Sequence, residues 1–206
     1  MEAWADADAV LAGASPHMAA AVAAYGPCTL TKRKDPAGPF GALARAICYQ
    51  QLAGRAAAAI HGRFAALYGG KPTPAAVAAT PDETLRAAGL SANKTASIKD
   101  LATKALDGTV KLGQWTRQTD DEIVDRLTKV RGIGPWTAHM FLMFTLNRPD
   151  VWPTADYGVG VGFARIHQLA MPPTAKQLGP LGDPYRPYRT IAAWYCWRAV
   201  DQPALT

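Results

Sequence analysis

The chain has 206 residues, enough for a buried core in one compact unit or in two closely packed lobes. With 49% apolar and 18% charged residues, its composition excludes an intrinsically disordered chain. A formal net charge of +6 suits a polyanionic partner if the Lys and Arg residues gather on one face, and describes a merely basic surface if they do not.

The N-terminal stretch MEAWADADAVLAGASP is acidic where a secretory leader would be basic, and no apolar run approaches ~18 residues. A soluble, intracellular, cytoplasmic protein without membrane contact is expected. Sustained apolar-polar alternation is lacking, whereas alanine-rich segments with helical spacing recur throughout, so the predicted fold class is all-α. Helices are predicted near residues 3–12, 16–25, 39–50, 53–68, 74–79, 81–88 and 94–106, then near 120–130, 135–147, 157–169 and 187–200.

Between the second and third of these, TKRKDPAGP at residues 31–39 reads as a charged, proline-containing linker. Thr80-Pro81-Asp82-Glu83 carries an N-cap, a proline at the first helical position and a capping-box glutamate, and Thr119 with Glu122 repeats the box. From Met171 to Pro187, proline and glycine interrupt any helical period, and a surface loop is predicted. Cys28, Cys48 and Cys196 are odd in number and far apart, which argues against a disulfide framework and against CxxC-type zinc or iron-sulfur sets. They read as buried small hydrophobes, and no metal ligand set is expected.

The most informative stretch is LTKVRGIGPWTAHMFLMF with the TLNRPDVWPTADYG that follows it. Gly132 and Gly134 flank one apolar residue between a capped amphipathic helix and a helix opening with Pro135. Such glycines allow a tight turn and leave N–H groups uncovered at the start of the second helix, a backbone site for phosphate. The same pattern also suits an ordinary helix-helix turn. Pro153-Thr154-Ala155-Asp156 then places a carboxylate just before another helix, where an aspartate serves as an N-cap and can serve chemistry as well.

This order resembles the helix-hairpin-helix, Gly/Pro-rich loop and aspartate signature of the base-excision DNA glycosylase superfamily. FGALARAICYQQLAGRAAAAIHGRF at residues 40–64, YGPCTL at residues 25–30 and the final YRTIAAWYCWRAVD are similar to its short 3-methyladenine DNA glycosylase II branch. Two departures stand out: Ala155 occupies a place where many relatives carry a second acid, and the sheet-forming N-terminal extension of the larger bacterial relatives is missing.

The resemblance implies a single glycosylase domain over residues 1–206, with a central helical lobe at about 40–130 and a second lobe from about 1–38 plus 131–206. The hairpin would span about 120–147 and the active-site cleft would lie between the lobes. The resemblance further implies catalysis by Asp156, a base pocket from Trp136, Met140 and Trp197, and a DNA wedge at Gln51 with Leu52 adjacent. The hairpin backbone at Gly132 and Gly134 would hold DNA phosphate. Read on residue type alone, Gln51 also fits a solvated helix end, and Met140 and Trp194 also fit ordinary core. No cofactor is implied beyond a structural alkali-metal ion at the hairpin, and the partner is damaged duplex DNA met by a monomer.

Chemistry narrows the expectation. The place where some superfamily members carry an amine nucleophile is Trp136, so base removal without strand cleavage is expected. Alkylation at N3 or N7 makes a purine cationic, which weakens its glycosidic bond and draws it to indole faces. An enzyme without a dedicated general acid would therefore release 3-methyladenine and 7-methylguanine best, and none of His17, His61, His139 and His167 has an evident partner in sequence. The alternatives are a glycosylase of the same fold for deaminated bases, a non-catalytic helix-hairpin-helix DNA-binding protein, and an unrelated helical interaction protein.

Overall fold

The helical periodicity is realised as twelve α-helices and two short 3-10 turns, with no strand, among the described residues. A computed structural model describes residue 4, residues 6–30, residue 32 and residues 35–202. The chain divides into two compact units, one of residues 34–141 and one of residues 1–33 with 142–206. The resemblance places residues 131–141 in the second lobe, whereas in the structure they belong to the same unit as residues 34–130.

The unit of residues 34–141 contains α3 (Gly38–Tyr49), α4 (Gly54–Ala66), α5 (Pro74–Ala79), α6 (Asp82–Ala87), α7 (Ala92–Leu106) and α8 (Asp120–Thr128). It also holds most of α9 (Pro135–Phe144). Phe40, Leu43, Ala44 and Ile47 recur at helical spacing on α3 and are all buried. α7 is the central post, packing against α3, α5 and α6 and contributing Ile98, Leu101 and Ala102 to the core. The Thr119 capping box at the start of α8 forms as predicted, with the Glu122 carboxylate accepting the Thr119 N–H at 2.7 Å.

The other unit contains α1 (Ala7–Ala14), α2 (Pro16–Tyr25), the end of α9, α10 (Tyr157–Ile166), α11 (Ala175–Leu181) and α12 (Arg189–Asp201). An unbroken run from Thr190 to Cys196 is buried, so α12 is the central helix here. α10 lies against it so closely that a Cβ on Gly162 would come 1.9 Å from the Cys196 carbonyl oxygen. The YGPCTL segment is tied to the same helix, because Asp8 accepts the Tyr195 hydroxyl at 2.7 Å and the Cys28 N–H at 3.2 Å. Cys48 and Cys196 are fully buried and Cys28 is half-buried; burial pushes the Cys28 and Cys48 thiols up to about 11.

Several predicted boundaries move for identifiable reasons. Thr80 does not cap α6: its hydroxyl donates to the Ala76 carbonyl at 2.8 Å and closes α5, while α6 starts behind Pro81 with no side-chain cap. Residues 175–181, predicted as loop, form α11, started by a capping box between Thr174 and Gln177 and carrying Pro180 in its last turn. α9 and α10 end about one turn early, followed by Asn147 and Gln168 in the left-handed region. α1 begins at Ala7, and the predicted start at residue 3 lies outside the described residues, as do 31, 33 and 34 of the linker. Among the described residues no helix is long and apolar enough to cross a membrane.

One buried contact gives this second unit a pH dependence. His167 stacks on Phe163, accepts or donates a 2.7 Å hydrogen bond at Nε2 with the Tyr185 hydroxyl, and faces His17. Burial, then the charge of His17, push His167 down to about 4. Between the ordinary histidine value of about 6.5 and the lowered value, the unfolded chain binds the proton and the folded chain does not. Stability is therefore intact above about pH 6.5 and falls as pH drops toward 4, by up to roughly 3 kcal/mol from this group. Urea midpoints at pH 7 and pH 5 should differ by less in His167→Gln, which keeps a polar partner for Tyr185, than in the wild type.

Candidate functional site

The proline-rich segment between α9 and α10 is fixed at several points before it reaches Asp156. Asp150 accepts Arg189 Nε at 2.7 Å and Arg186 Nη1 at 2.8 Å. The Val151 N–H donates to Thr190 Oγ1 at 3.1 Å, and the buried Trp152 donates its indole N–H to the Leu178 carbonyl at 2.8 Å. Asp156 then caps α10, its Oδ1 accepting the Val159 N–H at 2.9 Å. The half-buried carboxylate thus sits at the positive end of a helix dipole, on a segment with little freedom to move.

Trp197 meets this carboxylate directly. Its indole N–H donates to Asp156 Oδ1 at 3.0 Å, and its ring stacks on Phe144 with centroids 5.8 Å apart. Gly158 makes room for the contact, since a Cβ there would stand 3.0 Å from Trp197 Cδ1. Trp197 therefore acts on the carboxylate as well as presenting an aromatic face, a role that residue type alone does not disclose. Two more aromatics go unmarked in the sequence reading: Phe144 is 46% exposed and Tyr157, next to Asp156, is 84% exposed. Phe144 also borders a cavity of about 260 Å³, shared with Trp4, Leu30, Met143 and Asn147. Trp194 is core, buried against Tyr195.

In the unit of residues 34–141, α8 turns into α9 through Gly132, which has φ +76. A Cβ on Gly132 would come 2.7 Å from Ser97 Oγ, so glycine is required there by both conformation and space. Gly134 differs, because a Cβ there would meet nothing within 4 Å. Neither the Gly132 nor the Gly134 N–H finds an acceptor among the described residues. Gly134→Val should therefore leave thermal stability nearly unchanged while covering these donors. Its affinity for damaged and undamaged duplexes should fall alike, by about fivefold for one lost backbone-phosphate hydrogen bond. Fluorescence anisotropy titrations check this, and undiminished affinity would remove the turn from the DNA interface.

The same unit carries Gln51 and Leu52 at the turn between α3 and α4. Leu52 is 40% exposed, and Gln51 is an exposed non-glycine residue at φ +55, a conformation costing roughly 1 kcal/mol or more. Trp136, second residue of α9, is 47% exposed, and Met140 lies one helical turn further on and is half-buried. His139 is also half-buried, with burial lowering its basicity against the nearby Asp120 and Asp121, and its Nδ1 has no hydrogen-bond partner among the described residues. No group of three or more His, Cys, Asp or Glu side chains able to hold a metal occurs among the described residues.

Comparison with known proteins places the chain in a family. The family of HhH-GPD superfamily base excision DNA repair proteins matches residues 44–179. A DNA-3-methyladenine glycosylase of Schizosaccharomyces pombe is 36% identical over 177 residues, 84% of this chain and 76% of the relative. The structure of a 3-methyladenine DNA glycosylase from S. pombe in complex with abasic DNA is similar with a TM-score of 0.83 and 33% identity, covering 98% of this chain and 99% of that one. A DNA-3-methyladenine glycosidase from Bacillus halodurans is similar with a TM-score of 0.78 and 31% identity, covering 92% and 91%.

Proposed function

The chain belongs to the HhH-GPD superfamily of base excision DNA repair proteins, and from that premise we propose that it is a monofunctional DNA glycosylase releasing alkylated purines from duplex DNA. The observation that carries this reading is Asp156, a carboxylate capping α10, bonded to the Trp197 indole and followed by an exposed tyrosine. As the bond to a cationic base breaks, positive charge develops on the deoxyribose. A fixed carboxylate stabilises that charge and orients or deprotonates the attacking water. The Val159 N–H and Trp197 Nε1 hold Oδ1 in place, so little reorganisation is needed as the charge forms.

Extruding the nucleotide costs a few kcal/mol, least for a damaged pair. Gln51, presented from a strained turn, would fill the gap and offer hydrogen bonds to the orphaned base, with Leu52 stacking beside it. Trp136 and Met140 in one unit and Trp197 in the other are each assigned to contact with the base, indole faces favouring a cation over a neutral lesion. The uncovered N–H groups at Gly132 and Gly134 would hold phosphate. The reaction as written needs no cofactor. Were an alkali-metal ion to bind at the hairpin, turn carbonyls would be its ligands, and that of Gly132 is already engaged by Gln50. A monomer acting on chromosomal DNA inside the cell completes the reading.

The test is single-turnover release of 3-methyladenine and 7-methylguanine from methylated duplex, compared with hypoxanthine and uracil duplexes, with borohydride present in a parallel reaction. Faster release of the methylated purines, an intact abasic strand and no trapped adduct are expected. A covalent adduct would contradict hydrolysis without a Schiff base, since Trp136 offers no amine. Preference for hypoxanthine or uracil would move the substrate to deaminated bases. Tight duplex binding with no release of any base would make the protein a binding module.

A further inference from the structure

Two adjacent glutamines follow α3, and the fold sends them to different places. Gln51 is exposed, whereas Gln50 is half-buried and its Nε2 donates to the Gly132 carbonyl at 2.8 Å. That bond joins the turn bearing Gln51 and Leu52 to the turn between α8 and α9. Gly132 is where the segments converge: a Cβ there would lie 2.7 Å from Ser97 Oγ and 3.9 Å from Gln50 Oε1.

α7 backs both turns with one face. Lys94 Nζ donates to the Cys48 carbonyl at 2.7 Å, satisfying an acceptor at the end of α3. Asp100 Oδ2 accepts the Arg131 N–H at 2.7 Å, and Asn93 accepts Arg131 Nη2 at 3.2 Å. Asn93, Ser97 and Asp100 recur at helical spacing, with Lys94 beside them, so α7 holds the two turns from behind while Gln50 bridges them in front. The bridge matters because Gln51 sits in a costly conformation that persists only where its surroundings over-determine it.

We propose that Gln50 is a positioning residue: its amide locks the turn that presents Gln51 to the hairpin turn, so that probe and phosphate-binding backbone meet the duplex as one rigid template. The inference rests on the glycosylase reading for what the template does, and on the Gln50–Gly132 bond for its existence. Its consequence is that phosphate contact at the hairpin fixes where the probe enters, without any contact between Gln50 and DNA.

Gln50→Met keeps the length of the side chain and removes the donor without adding charge near phosphate. The probes are a duplex carrying one tetrahydrofuran abasic analogue beside 2-aminopurine, and the same duplex undamaged. Relative to wild type, the variant should bind the abasic duplex about fivefold more weakly, with a smaller 2-aminopurine response, and the undamaged duplex within about twofold. In a Gln51→Ala background, Gln50→Met should add less than about twofold, because the two residues act as one unit. Full losses in both backgrounds, equal losses on both duplexes, or no loss at all would overturn the proposal.

Should the wild type bind neither duplex, the glycosylase reading fails on its own, and backbone order parameters from NMR relaxation of the free protein still read the lock. Lower order parameters in Gln50→Met at Gln51, Leu52 and residues 132–134 together support it, and unchanged order parameters overturn it. Gln50→Leu, which fills the same space, serves where Gln50→Met does not fold.

Discussion

Asp156→Asn is expected to slow single-turnover base release on the order of a thousandfold, with the fold and duplex binding retained, as loss of a charge acting on the transition state requires. The amide preserves the local structure for a specific reason. Asparagine caps a helix as well as aspartate does, so its Oδ1 can still accept the Val159 N–H and the Trp197 indole. What disappears is the negative charge beside the developing sugar cation and the capacity to take a proton from water. Rates within about tenfold of wild type on methylated duplex would sink the assignment of Asp156, because orientation alone does not account for the chemistry. Trp197→Phe separates the two roles of the indole: it keeps an aromatic face against Phe144 and loses the donor, so a rate loss on charged and neutral lesions alike would locate its contribution at the carboxylate.

The part of this arrangement legible in the sequence is the part set by short-range rules. Helix periodicity, the Thr119 capping box and the cap at Asp156 depend on residues within one turn of each other, and each forms. The capping box at Thr174 and Gln177 was equally local but was masked by Gly179 and Pro180, which the last turn of a short helix accommodates. Thr80 misled in the opposite way, because its hydroxyl had two helix ends within reach and closed the earlier one. Long-range contacts left less of a trace. Nothing in the run of letters separates Gln50 from Gln51; a left-handed backbone at the second and a carbonyl 82 positions away from the first do so. Trp197 likewise reads, by resemblance, as a base-pocket aromatic, and nothing local in the sequence ties its indole N–H to Asp156.

That distance depends on how closely α10 approaches α12, and here the second large effect is expected. α10 contains Gly158, Gly160 and Gly162, three residues that each cost a helix up to about 1 kcal/mol relative to alanine. Propensity alone therefore predicts that alanine would stabilise any of them. Packing reverses the sign at Gly162, where the new Cβ would lie 1.9 Å from the Cys196 carbonyl oxygen and 2.4 Å from its carbon. Both atoms are backbone of a buried helix, so no side chain can swing aside, and relief to an ordinary separation of about 3.5 Å requires the helices to part. Gly162→Ala should cost about 3 kcal/mol or more, measured by urea unfolding of the whole chain. Gly160→Ala is the control, since its Cβ would meet only the Pro173 carbonyl oxygen at 3.7 Å; it should be neutral or stabilising by up to about 1 kcal/mol. Parting the helices also draws Trp197 on α12 away from Asp156 at the start of α10, so base release in any folded Gly162→Ala should fall further than its stability loss explains. Equal stability of the two alanine variants would show that the close approach at Gly162 is not what sets the spacing of the carboxylate and the indole.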